Sequence, residues 1–160
     1  MMVVVVVVVD VVELFVRSRA DLVRFATALV GPDDALDVVS EVVVSTLASG
    51  RLDRVDDVRA YWFRAVANRS MSWHRSTERR RHRDTRHAIG RAGDGDEMSA
   101  VEGREFLDLL SGQQRVVVYL MYWHDWDPAT IAATLDVAEG TVRKQLARTR
   151  ARLREVMPHD

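Results

Sequence analysis

The chain has 160 residues, of which 48% are apolar and 29% are charged, and it contains no cysteine. This composition is typical of one ordinary globular domain or two very small ones, and it argues against wholesale disorder. Without cysteine the chain can form neither disulfides nor thiolate metal sites, which suits a reducing, cytoplasmic setting. The longest uninterrupted apolar run, over residues 1–9, is far shorter than the roughly 20 residues of a membrane span. We therefore expect no membrane insertion.

The net charge of −1 conceals two basic blocks that lie far apart in the chain. Residues 58–91 contain 10 arginines and two acids, and residues 141–155 contain six basic residues and one acid. Two such blocks in a nearly neutral chain indicate two contacts with a polyanion, and duplex nucleic acid is the commonest such partner. Solvated helix faces would give the same pattern, so charge alone leaves both interpretations open.

The first half of the chain predicts three helices. Residues 1–9 are read as an irregular valine-rich tail, because β-branched residues are weak helix formers. A helical period then begins at Asp10 and stops at Gly31–Pro32. Asp33 or Asp34 is expected to cap a second helix, and a third helix is expected over residues 58–76. The inner stripe of the second helix is predicted to comprise Ala35, Val39, Val42, Val43 and Thr46.

The second half begins after a stretch without apolar periodicity. Residues 79–104 are rich first in arginine and then in glycine and acids, which predicts a flexible linker. Ser111 and Gln114 form a capping-box pattern, and Asp127–Pro128 is a strong helix start. No two-residue alternation persists anywhere, so we predict an all-α chain with helical domains over residues 10–78 and 105–157.

Residues 131–155 have the arrangement of a helix-turn-helix. A short helix is followed by a turn over residues 136–138 and by a long helix over about 139–156. At 100° per residue, one face of the long helix carries Arg143, Lys144, Ala147 and Arg148, and the opposite face carries Val142, Leu146, Leu153 and Val156. A helix that lies in a DNA major groove needs hydrogen-bond donors for the base edges and a small residue that allows close approach, and this face offers both. The other interpretation is a plain surface helix with solvated arginines.

The third helix carries a second constellation. Tyr61, Arg64, Asn68 and Arg75 project away from the apolar face centred on Val66. Aromatic, amide and guanidinium groups on one exposed face suit single-stranded or partly melted nucleic acid, because rings stack on bases and arginine holds phosphate. An amphipathic core helix with incidental polar residues explains this pattern equally well.

Nothing in the sequence predicts an enzyme, a cofactor or a small-molecule substrate. His74, His82 and His87 lie in an arginine-rich stretch that repels cations, which disfavours a metal site. No nucleophile motif accompanies a histidine and an acid. We expect Trp123 and Trp126 to pack within the core of the C-terminal domain.

In this order, these pieces resemble a small two-domain extracytoplasmic-function (ECF) sigma factor of bacterial RNA polymerase. The similar segments are ALDVVSEVV (35–43), the helix over 61–75, Leu110–Arg115 and Ile131–Arg154. The resemblance covers about residues 12–157. It implies a sigma region 2 bundle and a sigma region 4 helix-turn-helix that are joined by a linker.

The resemblance also implies partners and site residues. It implies binding to core RNA polymerase and to promoter DNA, and an anti-sigma factor as a further partner. The positions aligned with the −35 major-groove surface are Thr141, Arg143, Lys144, Ala147 and Arg148. Those aligned with the −10 surface are Tyr61, Arg64, Asn68 and Arg75. Those aligned with the polymerase-binding surface of the second helix are Asp37, Ser40 and Glu41.

Two other functions remain compatible with parts of the chain. A stand-alone helix-turn-helix regulator would explain residues 127–155, and it would leave the Asp37 and Glu41 face and the helix over 61–75 unexplained. A protein-interaction module would bind a protein partner and no DNA. Mixing the chain with core polymerase separates these functions, because only a sigma factor is expected to co-elute with it and to melt promoter DNA.

Overall fold

The structure, a computed structural model, describes residues 2–83 and 106–156, and these ranges are helical with no β-strand. We call them the N-terminal half and the C-terminal half. The N-terminal half contains α1 (Met2–Val30), α2 (Pro32–Ala48) and α3 (Val58–Arg83), with a short 3-10 turn at Leu52–Arg54 between the last two. The C-terminal half contains α4 (Gly112–Tyr122), α5 (Pro128–Leu135) and α6 (Glu139–Val156). The all-α prediction is confirmed.

Helix α1 includes the valine run. The expected irregular tail over residues 1–9 is wrong for residues 2–9, which are helical. A valine costs well under about 1 kcal/mol relative to alanine in a helix, and extending an existing helix is far easier than nucleating one. The helix stops where predicted, at Gly31, whose φ of 94° suits glycine.

Helices α2 and α3 differ from the prediction at their ends. Gly31 is the N-cap of α2, and Asp33 and Asp34 lie in its first turn, so neither aspartate is the cap. There they still face the positive end of the helix dipole. The predicted inner stripe of α2 is buried throughout. Helix α3 continues to Arg83, so residues 79–83 are helical and not linker, and the remainder of the predicted linker lies outside the described residues.

The C-terminal half begins its helices where the capping patterns predict. The Ser111 hydroxyl accepts a hydrogen bond from the Gln114 N–H at 3.3 Å, and the Gln114 side chain accepts one from the Ser111 N–H at 3.0 Å. The Asp127 carboxylate accepts the Thr130 N–H at 2.7 Å. Asp136 ends α5 with a φ of 56°, in the left-handed region, and the turn leads directly into α6.

One hydrophobic core runs through both halves. The Phe25 ring of α1 lies 5.3 Å from the Tyr119 ring of α4, and Phe63 of α3 lies 5.3 Å from Trp126. Trp126 therefore packs against the other half, and Trp123 is 53% exposed, so the expectation that both fill the core of the C-terminal domain is wrong. Trp123 instead stacks on Tyr119 at 5.5 Å. Within the described ranges, no helix is both long enough and apolar enough to span a membrane.

The capping box makes a stability prediction. Ser111→Ala removes the acceptor for the Gln114 N–H at the start of α4, and we expect a loss of about 1 kcal/mol in the free energy of unfolding. Urea unfolding monitored by circular dichroism measures it. Ser72→Ala, at an exposed position inside α3, is the matched control and should change stability by less than about 0.5 kcal/mol. Equal effects of the two variants would contradict the role of the cap.

Candidate nucleic-acid interface

The outer face of α6 is exposed as the sequence predicted. The side chains of Val142 and Leu146 are only 0% and 3% exposed, and they pack α6 against the rest of the C-terminal half. The residues on the other side are all solvent-exposed, namely Thr141, Arg143, Lys144, Ala147 and Arg148. Val156, expected on the inner stripe, is 51% exposed at the end of the helix, so that detail is wrong. A cationic ridge thus projects from a packed helix.

Arg143 is held in place within this ridge. Its Nε lies 2.8 Å from Oε1 of Glu139, one helical turn earlier. Both side chains are exposed, so the pair contributes at most a few tenths of a kcal/mol. The pairing points the guanidinium along the N-terminal part of α6 and is weak enough to be exchanged for a DNA contact.

The second candidate surface lies on α3. Tyr61 and Arg64 are half-buried, with the Arg64 guanidinium 5.6 Å from the Tyr61 ring centre, whereas Asn68 and Arg75 are exposed. Arg75 reaches back to Ser72 Oγ at 3.3 Å. Asn68 and Arg75 therefore lie at the surface, whereas Tyr61 packs partly against the core. The buried residues Trp62, Phe63 and Val66 occupy the other side of α3.

The two candidate surfaces lie beside each other. Arg64 of α3 forms an ion pair with Asp136 of the α5–α6 turn at 3.5 Å. Asn68 and Thr141, one from each predicted DNA surface, line the same cavity of about 80 Å³ between the halves. This proximity could not be predicted from the sequence, because the residues are far apart in the chain and no local pattern links them.

The third candidate surface is on α2. Asp37, Ser40 and Glu41 are all exposed, and two apolar neighbours, Leu36 and Val44, are 50% and 66% exposed. Glu41 accepts two hydrogen bonds from Arg69 of α3, at 2.8 and 3.1 Å. The surface is therefore a mixed acidic and apolar face whose glutamate is oriented by the neighbouring helix.

One polar contact between the halves could not be predicted from any pattern in the sequence. The Leu29 carbonyl, near the C-terminal end of α1, accepts hydrogen bonds from His74 Nε2 and from Arg115 Nη1, the latter at 3.2 Å. Such carbonyls have no partner within their own helix. His74 is thus engaged in the fold, while His82 and His87 carry no described side chain; among the described residues, no cluster could hold a metal ion.

His124 lies among aromatic rings at the junction of the two halves. Its ring lies 5.0 Å from that of Phe63 and 5.4 Å from that of Trp126, and this burial lowers the pKa of His124, with Asp21 opposing the shift and Arg59 and Arg24 adding to it. Because the folded state disfavours the proton, the stabilisation is complete above the ordinary pKa of about 6.5 and is lost as the pH falls through the lower folded value.

We therefore expect the urea midpoint to fall on acidification from pH 7.5 to pH 5.5. His124→Phe, which cannot be protonated, should flatten this dependence while keeping the aromatic contacts. The measurement is the difference in midpoint between the two pH values for each chain. A slope that is unchanged in the variant would assign the pH dependence to other groups.

Comparisons with known proteins all match this chain to sigma factors. Residues 104–153 match the family model described as sigma-70, region 4. The chain is 34% identical over 150 residues to an RNA polymerase sigma-E factor of Streptomyces avermitilis. This alignment covers 89% of this chain and 83% of the relative. A protein of the same name from Streptomyces coelicolor is 33% identical, with coverage of 89% and 84%.

A solved structure shares the fold. It is the sigma factor RpoE from Bartonella quintana, crystallised in complex with the anti-sigma factor NepR, with a TM-score of 0.75 and 22% identity. The match covers 91% of this chain and 95% of that one. The likeness therefore extends over both halves and is not confined to the helix-turn-helix.

Proposed function

Because the chain belongs to the ECF sigma factors of bacterial RNA polymerase, we propose how its two halves divide the work of transcription initiation. The chain binds the core enzyme and directs promoter-specific initiation. It works as a binding subunit in the cytoplasm, where the polymerase acts, and not as a catalyst. The relatives align over nearly the whole chain, so a stand-alone helix-turn-helix regulator is not favoured.

Helix α6 reads the −35 element. Its exposed face offers Arg143, Lys144 and Arg148 as donors, and Thr141 and Ala147 as small residues that allow close approach to base edges. Arginine pairs well with guanine in the major groove, and phosphate contacts fix the register. The buried Val142 and Leu146 keep the helix rigid while it lies in the groove.

Helix α3 binds the −10 element and supports its opening. Tyr61 supplies a ring for stacking, Asn68 supplies an amide for base edges, and Arg64 and Arg75 supply charge for the backbone. The half-buried Tyr61 and Arg64 are held against each other, which limits the entropy lost when they bind.

Helix α2 docks on the polymerase. Asp37, Ser40 and Glu41 form its polar edge, and the exposed Leu36 and Val44 supply apolar area. An acidic face complements a basic partner surface and speeds association with it. The ion pair of Glu41 with Arg69 orients the carboxylate and leaves Asp37 as the freer charge.

The observation that carries this proposal is the exposed cationic ridge of α6 in a chain that is related to sigma factors over both halves. The test mixes the purified chain with core polymerase and a pool of genomic promoters. We expect co-elution with the core enzyme, specific runoff products, and permanganate-reactive thymines upstream of each start site.

Other results would contradict the proposal in distinct ways. Duplex binding without co-elution would support a stand-alone regulator. Binding to a protein partner with neither co-elution nor DNA binding would support an interaction module. Because phosphate contacts release counterions, the affinity for promoter DNA should also fall steeply with salt.

A further inference from the structure

The first turn of α6 holds a carboxylate and a guanidinium in one exposed pair. Both Nε and Nη2 of Arg143 donate to a single oxygen of Glu139, Oε1, with Nε at 2.8 Å. The side chains of Arg143 and Glu139 remain 66% and 44% exposed. Within the ranges that the structure describes, the second carboxylate oxygen, Oε2, and the outer guanidinium nitrogen, Nη1, have no hydrogen-bond partner. The pair therefore presents a free acceptor and free donors to solvent, side by side.

This pair lies in the part of α6 that is proposed to enter the −35 groove. Glu139 is the first residue of the helix and Arg143 is the fifth, so the two side chains lie one turn apart on one face. In helix-turn-helix proteins, the N-terminal residues of the second helix contact base edges. The carboxylate is thus placed where base edges, and not only phosphates, come within reach.

No side chain next to the pair screens it from a groove. Gly140 follows Glu139 and is exposed, and a Cβ placed there would have no heavy atom of the surrounding fold within 4 Å. Neither packing nor a positive φ requires glycine at this position. A residue without a side chain lets the backbone approach a ligand closely, so the neighbouring pair can reach the floor of the groove.

A G·C base pair presents the complementary pattern in the major groove. Guanine offers two acceptors, N7 and O6, and cytosine offers one donor, the N4 amino group. Within the base pair N4 donates to O6 at about 2.9 Å, the usual length of such a bond. This length is close to the 2.8 Å between Nε of Arg143 and Oε1 of Glu139. The free guanidinium edge therefore matches O6 and N7, while Oε2 matches N4.

An A·T pair does not match this arrangement of donors and acceptor. Its donor lies on the purine, and its pyrimidine offers an oxygen acceptor. The same two side chains would set a guanidinium donor against the adenine amino group and a carboxylate oxygen against thymine O4.

We propose that Glu139 is a specificity-determining residue of the −35 helix, and that Glu139 and Arg143 together read one G·C base pair. Arg143 donates to guanine O6 and N7, and Oε2 of Glu139 accepts a hydrogen bond from cytosine N4. This inference rests on the proposed function of α6, and it adds the base pair that the helix selects.

The first test maps the base preference. Holoenzyme reconstituted from core polymerase and the full chain is titrated with promoter duplexes in which each −35 position carries each of the four base pairs. We expect the parent to prefer G·C at one position by about five- to hundredfold, the range of one good base contact. Glu139→Ala should lower that preference at least about threefold, at the position that Arg143→Ala also relaxes. Relaxation at another position, or none, would overturn the inference, as would a parent that prefers A·T at the position of Arg143.

Two further variants separate this role from general charge and helix stability. Glu155→Ala removes a carboxylate from the exposed end of α6 and should leave every base preference unchanged. Glu139→Gln keeps an acceptor oxygen without the charge, and it should discriminate better than Glu139→Ala. Urea midpoints show whether any variant weakens α6, and a weaker helix would lower the affinity for all sequences alike. Equal preferences for the two Glu139 variants would overturn the acceptor role.

The second test removes the amino group that Glu139 is proposed to bind. Replacing the cytosine of the selected pair by 2-pyrimidinone deletes the N4 amino group. The parent should lose about tenfold in affinity, as expected for one hydrogen bond to a charged group, and Glu139→Ala should lose at least threefold less. Weakening of the base pair itself affects both proteins and cancels in this comparison. Equal losses would overturn the contact between Glu139 and N4.

Failure of the proposed function has a different signature. A parent holoenzyme without any base preference in the −35 element would overturn the role of α6, and that of Glu139 with it. A parent with clear preferences that Glu139→Ala leaves intact would overturn only this inference.

Discussion

Arg143→Ala should weaken binding to −35 duplex DNA by about 1–3 kcal/mol and relax the preference at one base position. The reason is geometric: Arg143 lies on the exposed face of α6, one residue beyond the fully buried Val142, so its side chain projects where a groove would lie. Truncation removes a donor and leaves Glu139 without its partner, close to the DNA phosphates. Fluorescence anisotropy against the promoter duplex and single-base variants measures both effects.

Two controls separate recognition from helix stability. Arg152→Ala removes an exposed arginine that lies nine residues, or half a rotation of α6, away from Arg143, and it should leave the base preference at the Arg143 position unchanged. Glu139→Gln breaks the ion pair while keeping Arg143, and should maintain or slightly increase DNA affinity. If Arg143→Ala and Arg152→Ala lower the affinity equally for all sequences, Arg143 contributes only to the general cationic field and not to reading the −35 element.

Local chemistry made much of the fold predictable. The starts of α4 and α5 could be predicted from Ser111 and from Asp127–Pro128. The side-chain oxygens of Ser111 and Asp127 each accept a hydrogen bond from the backbone N–H three residues later, and such a local contact can be recognised from sequence spacing alone. The buried stripe of α2 follows from the 3.6-residue period. The exposure of Arg143, Lys144 and Arg148 follows from the same period, since the opposite face of α6 is buried.

The features that could not be predicted share a physical origin. They depend on contacts between residues far apart in the chain, or on helix cooperativity that extends beyond one turn. Propensity predicted a break in the valine run, but residues 2–9 extend a helix that is nucleated elsewhere. Sequence proximity alone places Trp126 in the core of the C-terminal half, yet its ring packs on Phe63 of the N-terminal half. The pairs of Arg64 with Asp136 and of Arg115 with Leu29 join residues more than 70 positions apart, and single-sequence periodicity carries no information on such pairs.

Trp62→Ala should produce the largest loss of stability, about 3–5 kcal/mol in the free energy of unfolding. Trp62 is fully buried at the start of α3, with its ring 5.8 Å from Phe15 of α1 in an edge-to-face arrangement. Truncation leaves a large cavity where α3 meets α1. Because a domain of this size is stable by only about 5–15 kcal/mol, the variant should be close to unfolding at 37 °C.

Trp123→Ala is the matched control, because Trp123 is 53% exposed and stacks only at the surface on Tyr119. We expect it to cost less than about 1.5 kcal/mol. Trp62→Phe should cost less than Trp62→Ala, since it keeps most of the ring and also removes the buried Nε1–H, which has no hydrogen-bond partner. Urea unfolding monitored by circular dichroism compares the three variants. Similar losses for Trp62→Ala and Trp123→Ala would mean that α3, and with it the proposed −10 surface, is not anchored through Trp62.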